Sequence, residues 1–153
     1  MERKKWTHCF DGVNAVIFVV ALSEYDQMLP QDNQVNCMVE AISLFDEICN
    51  SRWFISTSMI LFLNKCDLFA AKISKKEIKT AHENFADYNG KPNDYEDGCE
   101  YFRNKFLEVN KSTNKQIFAH VMCATDKGIV QAVFSACSEA ILQENLKGTG
   151  FML

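Results

Sequence analysis

No stretch of this chain is apolar for long enough to cross a bilayer: the longest apolar run, Ala15 to Leu22, falls well short of the roughly 20 residues that a spanning helix needs. No signal peptide is predicted ahead of it. There is no Cys-x-x-Cys pair, and the seven cysteines (Cys9, Cys37, Cys49, Cys66, Cys99, Cys123, Cys137) are odd in number and widely spaced. That pattern argues against a disulfide framework and against a zinc site, and it suits a reducing, intracellular compartment. His8, His82 and His120 form no ligand spacing. Positive charge is not in excess: 16 Lys and Arg stand against 20 Asp and Glu, net −4, which gives no general case for nucleic-acid binding. Neither an internal repeat nor a low-complexity segment is visible. Asn110-Lys111-Ser112 matches a glycosylation acceptor, but the match is empty in an intracellular chain.

What is present suits one globular domain, since 153 residues with 48% hydrophobic content ordinarily suffice for a core. Ala15 to Leu22 predicts a fully buried strand. Val35, Met38, Val39, Ile42, Phe45 and Cys49 then recur at helical spacing after the turn residues Pro30 to Asn33. Met59 to Leu63 reads as a second strand, followed by a short helix around Ser74 to Ala81. The polar stretch Glu83 to Gly98 contains Asn89-Gly90-Lys91-Pro92 and reads as a loop. Tyr95, Cys99, Phe102, Phe106 and Val109 define another helix with Asp94 as N-cap, and Gln116 to Met122 is the third strand. Ile129, Val130, Val133, Phe134, Cys137, Ala140 and Ile141 form an amphipathic helix from about Asp126 to Lys147, stopped by Gly148. Strands alternating with helices predict an α/β fold with parallel pairing through right-handed crossovers.

The most specific chemistry lies where the second strand ends, at Asn64-Lys65-Cys66-Asp67. The Asp67 carboxylate can accept hydrogen bonds from the ring N–H and the exocyclic amine of guanine, whereas adenine offers an acceptor and no neighbouring amine. A site that pairs buried polar groups rejects an analogue lacking them by roughly 10⁴-fold or more. Asn64 supplies a side-chain amide, and the Lys65 stem can lie along the base. The third strand ends in Cys123-Ala124-Thr125, where the Ala124 N–H could reach the guanine carbonyl. Ligands collect at the carboxyl ends of strands in open α/β sheets. The bland alternative is a polar turn after a buried strand.

Phosphate and metal chemistry is not matched in the same way. A Gly-x-x-x-x-Gly-Lys-Ser/Thr loop is absent, as are an arginine finger in context and a glutamine after a Gly-Gly pair. Asp87-Tyr88-Asn89-Gly90 fits Asp-x-x-Gly, yet it lies in a polar loop and reads as a turn.

Together these residues resemble the carboxyl-terminal half of the Ras-like domain of a heterotrimeric G-protein alpha subunit, over essentially the whole chain. Glu2-Arg3-Lys4-Lys5-Trp6 with His8-Cys9-Phe10 looks like the second switch helix, and Ala21-Leu22-Ser23-Glu24-Tyr25-Asp26 resembles the end of the next strand. Leu44 to Asn50 with Trp53-Phe54 resembles the helix and loop used for effectors. Asn64-Lys65-Cys66-Asp67-Leu68-Phe69 and Cys123-Ala124-Thr125-Asp126 are similar to the two base-binding signatures. Asn145-Leu146-Lys147 leads into a tail, Thr149 to Leu153, that looks like the receptor-contacting end.

The resemblance implies a partial P-loop NTPase fold of three parallel strands with flanking helices, residues 1–153 being the carboxyl-terminal part of one Ras-like domain with no helical insertion domain. It implies a signal transducer that switches between GTP and GDP. Base contacts fall to Asn64, Lys65, Asp67, Leu68, Cys123, Ala124 and Thr125; Mg2+ is expected in a complete member, with its ligands absent from this span. Catalytic residues are likewise expected to be absent, so hydrolysis of GTP by this span alone is not expected. Partner contacts fall to Arg3, Lys4, Lys5, Trp6, Glu40, Trp53, Phe54, Leu146, Phe151, Met152 and Leu153. The implied partners are a beta-gamma dimer, a G-protein-coupled receptor and a downstream effector, at the cytoplasmic face of the plasma membrane. The family's strand order also puts a further strand, absent here, against Ala15 to Leu22.

Met1 stands at a position inside the switch, so the sequence reads as a fragment, a truncated gene model or a decayed paralogue. Other readings stand beside the main one. Arg3 and Glu40 resemble a switch pair, but Arg3-Lys4-Lys5 also reads as a solvent-facing charge run. Trp6 and Trp53-Phe54 read equally as partner anchors or as core. A nucleotide-independent receptor- or effector-binding module is the alternative function. An unrelated enzyme using Cys66 or a histidine lacks an evident base and a complete constellation.

Overall fold

The structure, a computed structural model, describes residues 7–10 and 12–148. Three strands, β1 (Ala15–Ala21), β4 (Ser58–Asn64) and β5 (Ile117–Val121), form a parallel sheet in the order β1-β4-β5. The register pairs Ala15 with Ser58 through Ala21 with Asn64, and Met59 with Ile117 through Leu63 with Val121. The carboxyl ends of all three strands therefore fall at one edge of the domain. The chain between the first two sheet strands forms a small antiparallel hairpin, β2 (Met28–Leu29) with β3 (Asp32–Asn36), and then helix α1 (Cys37–Cys49). After β4 come α2 (Cys66–Ile73), the single-turn α3 (Ile78–Ala81) and α4 (Tyr95–Glu108); α5 (Lys127–Gly148) follows β5. This is the expected α/β arrangement of three parallel strands with flanking helices. Among the described residues, no helix is long and apolar enough to cross a membrane.

Local chemistry explains where the helices start. Asn36 is buried, accepts from the Met38 and Val39 N–H groups at 2.9 and 3.1 Å, and donates through Nδ2 to the Tyr25 carbonyl at 2.8 Å. It caps α1 and ties the helix to the end of β1. The residues Pro30 to Asn33, expected as a plain turn, instead join and enter the β2–β3 hairpin, and Val35 belongs to β3 rather than to the helix. Asp94 caps α4 as expected, accepting from Asp97 N–H at 2.9 Å. Asp126 does the same for α5 through Gly128 and Ile129 at 3.0 and 3.2 Å.

Two expectations are corrected. The helix after β4 does not lie around Ser74 to Ala81; it opens directly at Cys66, and only Ile78–Ala81 of that range is helical. Phe69 and Ile73, four residues apart, supply the buried stripe that holds the earlier helix in place. Ala15 to Leu22 is not fully buried either: Ile17 and Val19 are 46% and 57% exposed. Their strand is an outer one among the described residues, and its alternate side chains point to a face with little cover.

Side chains of β4 alternate between two cores. Met59, Leu61 and Leu63 join the larger, which includes Tyr25, Phe45, Phe69, Phe85, Phe102 and Phe106; Ile60 and Phe62 join the smaller, with Met122, Cys137 and Ile141.

Candidate functional site

Asn64 ends β4, and Cys123 to Thr125 follow β5 on the neighbouring strand, so register alone brings the two signatures side by side. Three hydrogen bonds fasten them. The Met122 N–H donates to the Leu63 carbonyl at 2.9 Å, the Cys66 N–H to the Met122 carbonyl at 3.4 Å, and the Ala124 N–H to Asn64 Oδ1 at 2.8 Å. The last bond fixes the orientation of the Asn64 amide, with its oxygen toward Ala124. In this structure the Ala124 N–H is taken by Asn64, so the guanine carbonyl expected there would share or displace that bond. Cys123 and Thr125 close their own turn through a 2.9 Å contact between Sγ and Oγ1.

Lys65 adopts the left-handed conformation, φ 57° and ψ 40°, directly before α2. A side-chain-bearing residue there carries a cost of about 1–3 kcal/mol, and such strain persists where the surroundings over-determine it. The turn lets the chain leave the buried β4 and enter a helix at once. Asp67 then lies in the first turn of α2, where a carboxylate is favoured by the helix dipole. Lys65 Nζ reaches Glu24 Oε1 at 3.7 Å; both side chains are well exposed, so this pair orients more than it stabilises. Asp67, Leu68, Ala124 and Thr125 are all exposed, and Asn64 is half-buried. The structure thus gathers Asn64, Lys65, Asp67, Leu68, Cys123, Ala124 and Thr125 at one edge, with polar groups facing outward.

Sequence reasoning missed the brace behind this edge. Lys72 Nζ donates to the Ser23 carbonyl at 2.6 Å and to Asp26 Oδ1 at 2.7 Å, while Lys76 Nζ lies 3.3 Å from Asp26 Oδ2. Burial pushes the Asp26 carboxyl up, but the hydrogen bonds and charges of Lys72 and Lys76 outweigh it and hold the group below its ordinary value. The brace ties the end of β1 to α2. Its only sequence signal is the short polar run after the strand, Ser23 to Asp26, and that run does not reveal its partners.

The residues expected at partner contacts divide. Arg3, Lys4, Lys5, Trp6, Phe151, Met152 and Leu153 lie outside the described residues, and with them most of the switch-helix and tail readings; of the first, only the short 3-10 turn Thr7–Phe10 is described. Glu40 is half-buried in the first turn of α1, and Leu146 is exposed on α5. Trp53 is half-buried with the Arg52 guanidinium 4.8 Å from its ring. Phe54 is buried, which favours packing over partner contact for that ring. Both line an open cavity of about 810 Å³ with Phe10, Val16 and Leu44. Asp87, which begins the Asp-x-x-Gly match, accepts from the Tyr101 hydroxyl at 2.6 Å and pairs with Lys105; it serves as a loop tie.

Comparison with known proteins adds to this geometry. Residues 1–141 match the family model for the G-protein alpha subunit. The chain is 52% identical over 149 residues to the guanine nucleotide-binding protein alpha-3 subunit of Caenorhabditis elegans, covering 97% of this chain and 41% of that protein. It is 50% identical over 151 residues to the guanine nucleotide-binding protein alpha-1 subunit of Mycosarcoma maydis, covering 99% and 42%. A guanine nucleotide-binding protein alpha subunit of Candida albicans gives 50% over 151 residues, covering 99% and 34%. The chain thus spans about two-fifths or less of these relatives' length. With the two motifs joined at adjacent strand ends and residues 1–141 of the chain matched to the family model, this chain belongs to the G-protein alpha-subunit family.

Proposed function

We propose that this chain is the base-recognising, carboxyl-terminal part of one Ras-like domain of a G-protein alpha subunit, acting in a switch between GTP and GDP. The observation that carries the reading is the 2.8 Å bond from Ala124 N–H to Asn64 Oδ1, which welds the two base signatures into one surface. On that surface Asp67 accepts from the guanine ring N–H and amine, and the Lys65 stem covers one face of the base. Loss of such charge-assisted bonds leaves a carboxylate poorly paired with adenine. Leu68, Cys123 and Thr125 shape the rim. Magnesium and hydrolysis belong to a complete alpha subunit, in which positioned donors and a metal stabilise the transferring phosphoryl group. This span supplies none of those groups at a matching motif, so GTP hydrolysis by it alone stays at background.

Beta-gamma, receptor and effector contacts at the inner face of the plasma membrane are the partner side of the same proposal. The cavity beside Leu44 and Trp53 favours one second reading, a nucleotide-independent module that seats an apolar partner segment. Calorimetric titration with GDP, GTP and ATP separates them. The switch reading expects guanine over adenine, with the preference relaxed by Asp67→Asn; equal or tighter ATP binding overturns it. Magnesium-dependent phosphate release above background would overturn the inactive status of this span.

A further inference from the structure

One short segment, Ser23 to Asp26, grips the helix that carries Asp67 at both of its ends. Lys65, just before α2, and Lys72, near its end, are seven residues or about two turns apart, so both face the chain that leaves β1. At the first turn Lys65 Nζ lies 3.7 Å from Glu24 Oε1. At the last, Lys72 Nζ donates to the Ser23 carbonyl at 2.6 Å and to Asp26 Oδ1 at 2.7 Å, and Lys76 Nζ lies 3.3 Å from Asp26 Oδ2. The two grips are unequal. Lys65 and Glu24 are 47% and 39% exposed, so their pair contributes little, whereas the Asp26 side chain is 14% exposed and holds two ammonium groups. The segment itself is anchored: the Tyr25 ring is fully buried 5.5 Å from that of Phe69, its hydroxyl donates to the Lys76 carbonyl at 2.5 Å, and the Tyr25 carbonyl accepts from Asn36 Nδ2 at 2.8 Å.

We propose that Asp26 is a positioning residue for guanine recognition: by clamping Lys72 and Lys76 it fixes the rotation and tilt of α2, and with them the place of the Asp67 carboxylate. The consequence for guanine rests on the base-site reading above; the clamp itself does not.

Asp67 and Lys72 share one helix of eight residues, so what turns one turns the other. Phe69 and Ile73 hold that helix to the core, but apolar burial has no direction of its own. The hydrogen bonds to Asp26 and to the Ser23 carbonyl supply the direction. They matter here because α2 starts from the left-handed Lys65, a conformation that persists only where the surroundings over-determine it. A binding constellation has to be held within about 0.5 Å of its productive geometry, so a small turn of α2 is enough to misplace the carboxylate under the base.

The test compares GDP with inosine 5′-diphosphate, which lacks only the exocyclic amine that Asp67 is assigned to pair. In calorimetric titration of the full chain, the preference for GDP should fall about threefold or more in Asp26→Asn, a fraction of the roughly tenfold that outright loss of a hydrogen bond to a charged group costs. Lys72→Met should lower the same ratio, and the double variant should add little further, because both substitutions open one clamp. Asp26→Glu, which keeps the charge, should keep most of the preference. A merely structural role would weaken both nucleotides alike, so an unchanged ratio in Asp26→Asn overturns the inference. Hydrogen exchange gives a second readout: amides of residues 65–69 should exchange faster in Asp26→Asn while those of 128–141 on α5 stay as they are, and equal exchange at 65–69 in the two proteins also overturns it. Asp67→Asn tells the two readings apart. If that variant leaves the GDP preference intact, or if the chain binds neither nucleotide, the base-site reading falls and the guanine consequence with it, while exchange at 65–69 still decides whether Asp26 holds the start of α2.

Discussion

On one face of the sheet, Met59, Leu61 and Leu63 of β4 lie beneath α1, α2 and α4, sealed by rings that meet edge to face, such as Phe45 on Phe106 at 5.5 Å and Phe85 on Phe102 at 5.3 Å. On the other, Ile60 and Phe62 have α5 over them, while Ile17 and Val19 of β1 face outward and Phe134 and Leu142 of α5 are 50% and 60% exposed. The same apolar composition therefore gives burial on one side and open surface on the other. The difference is cover, not hydrophobicity. Edge-to-face rings each add about 0.5–1.5 kcal/mol beyond their buried area, so the sealed face carries most of the stability. The open face has the character of a surface that another element packs on.

The sharpest way to break this comparison is to cut into the sealed face. Phe102 is fully buried and its ring lies within 6.1 Å of those of Tyr25, Phe69, Phe85 and Tyr101. Phe102→Ala should cost about 3–5 kcal/mol in denaturant unfolding, enough to leave little folded protein. A loss below about 1 kcal/mol would mean that this core does not dominate.

Gly98→Ala tests the same face more gently. The added Cβ would crowd Ile73 and Phe69, an overpacking of about 1–3 kcal/mol, against about 1 kcal/mol regained from helix propensity. A net loss is expected, read as a lower denaturant midpoint at unchanged slope. A gain would show that α2 and α4 can part without penalty.

The open face was only half legible in the sequence. Ala15 to Leu22 announces a strand correctly, but an apolar run cannot say whether both of its faces are covered, because cover depends on elements elsewhere in the chain. The helix after β4 was misplaced for a related reason. Asn64 to Asp67 reads as a loop by composition, and only the left-handed turn at Lys65 lets the helix begin at Cys66. The candidate base site was legible as residue types at strand ends, whereas its fastening was not: the bond from Ala124 to Asn64 joins residues 60 apart and follows from register. Asp94 was readable as a cap because capping is local, and the same local signal at Asp126 marks the start of α5.

Replacing Ile17 and Val19 together by Thr should leave folding stability within about 0.5 kcal/mol, since exposed positions contribute little and Thr keeps strand preference. Self-association should fall instead. Among the described residues β1 is an outer parallel strand with exposed apolar side chains, a template for wrong pairing. Sedimentation at micromolar concentration should show larger species for the wild type than for the double variant. A wild type that is monomeric and unfolds cooperatively would contradict the reading of this face as open and adhesive.

The smallest effect expected is a slope in pH, and it belongs to the thinly covered side. His120 on β5 is half-buried with Nε2 3.4 Å from Cys137 Sγ on α5. Burial, and next the positive charge of Arg103, hold its imidazole below its ordinary value of 6.5, so the folded protein keeps it neutral. The unfolded chain binds a proton there at a higher pH than the folded chain does. Stability is thus fully present above about 6.5 and declines as pH falls below it. Thermal unfolding followed from pH 7.5 downward should show this decline before the carboxylates begin to titrate. His120→Gln, which carries no titrating ring, should flatten that part of the profile and leave the acid limb unchanged. Were the slope to persist in the variant, the proton uptake would have to arise at another group, and β5 would no longer be the place where the open face feels pH.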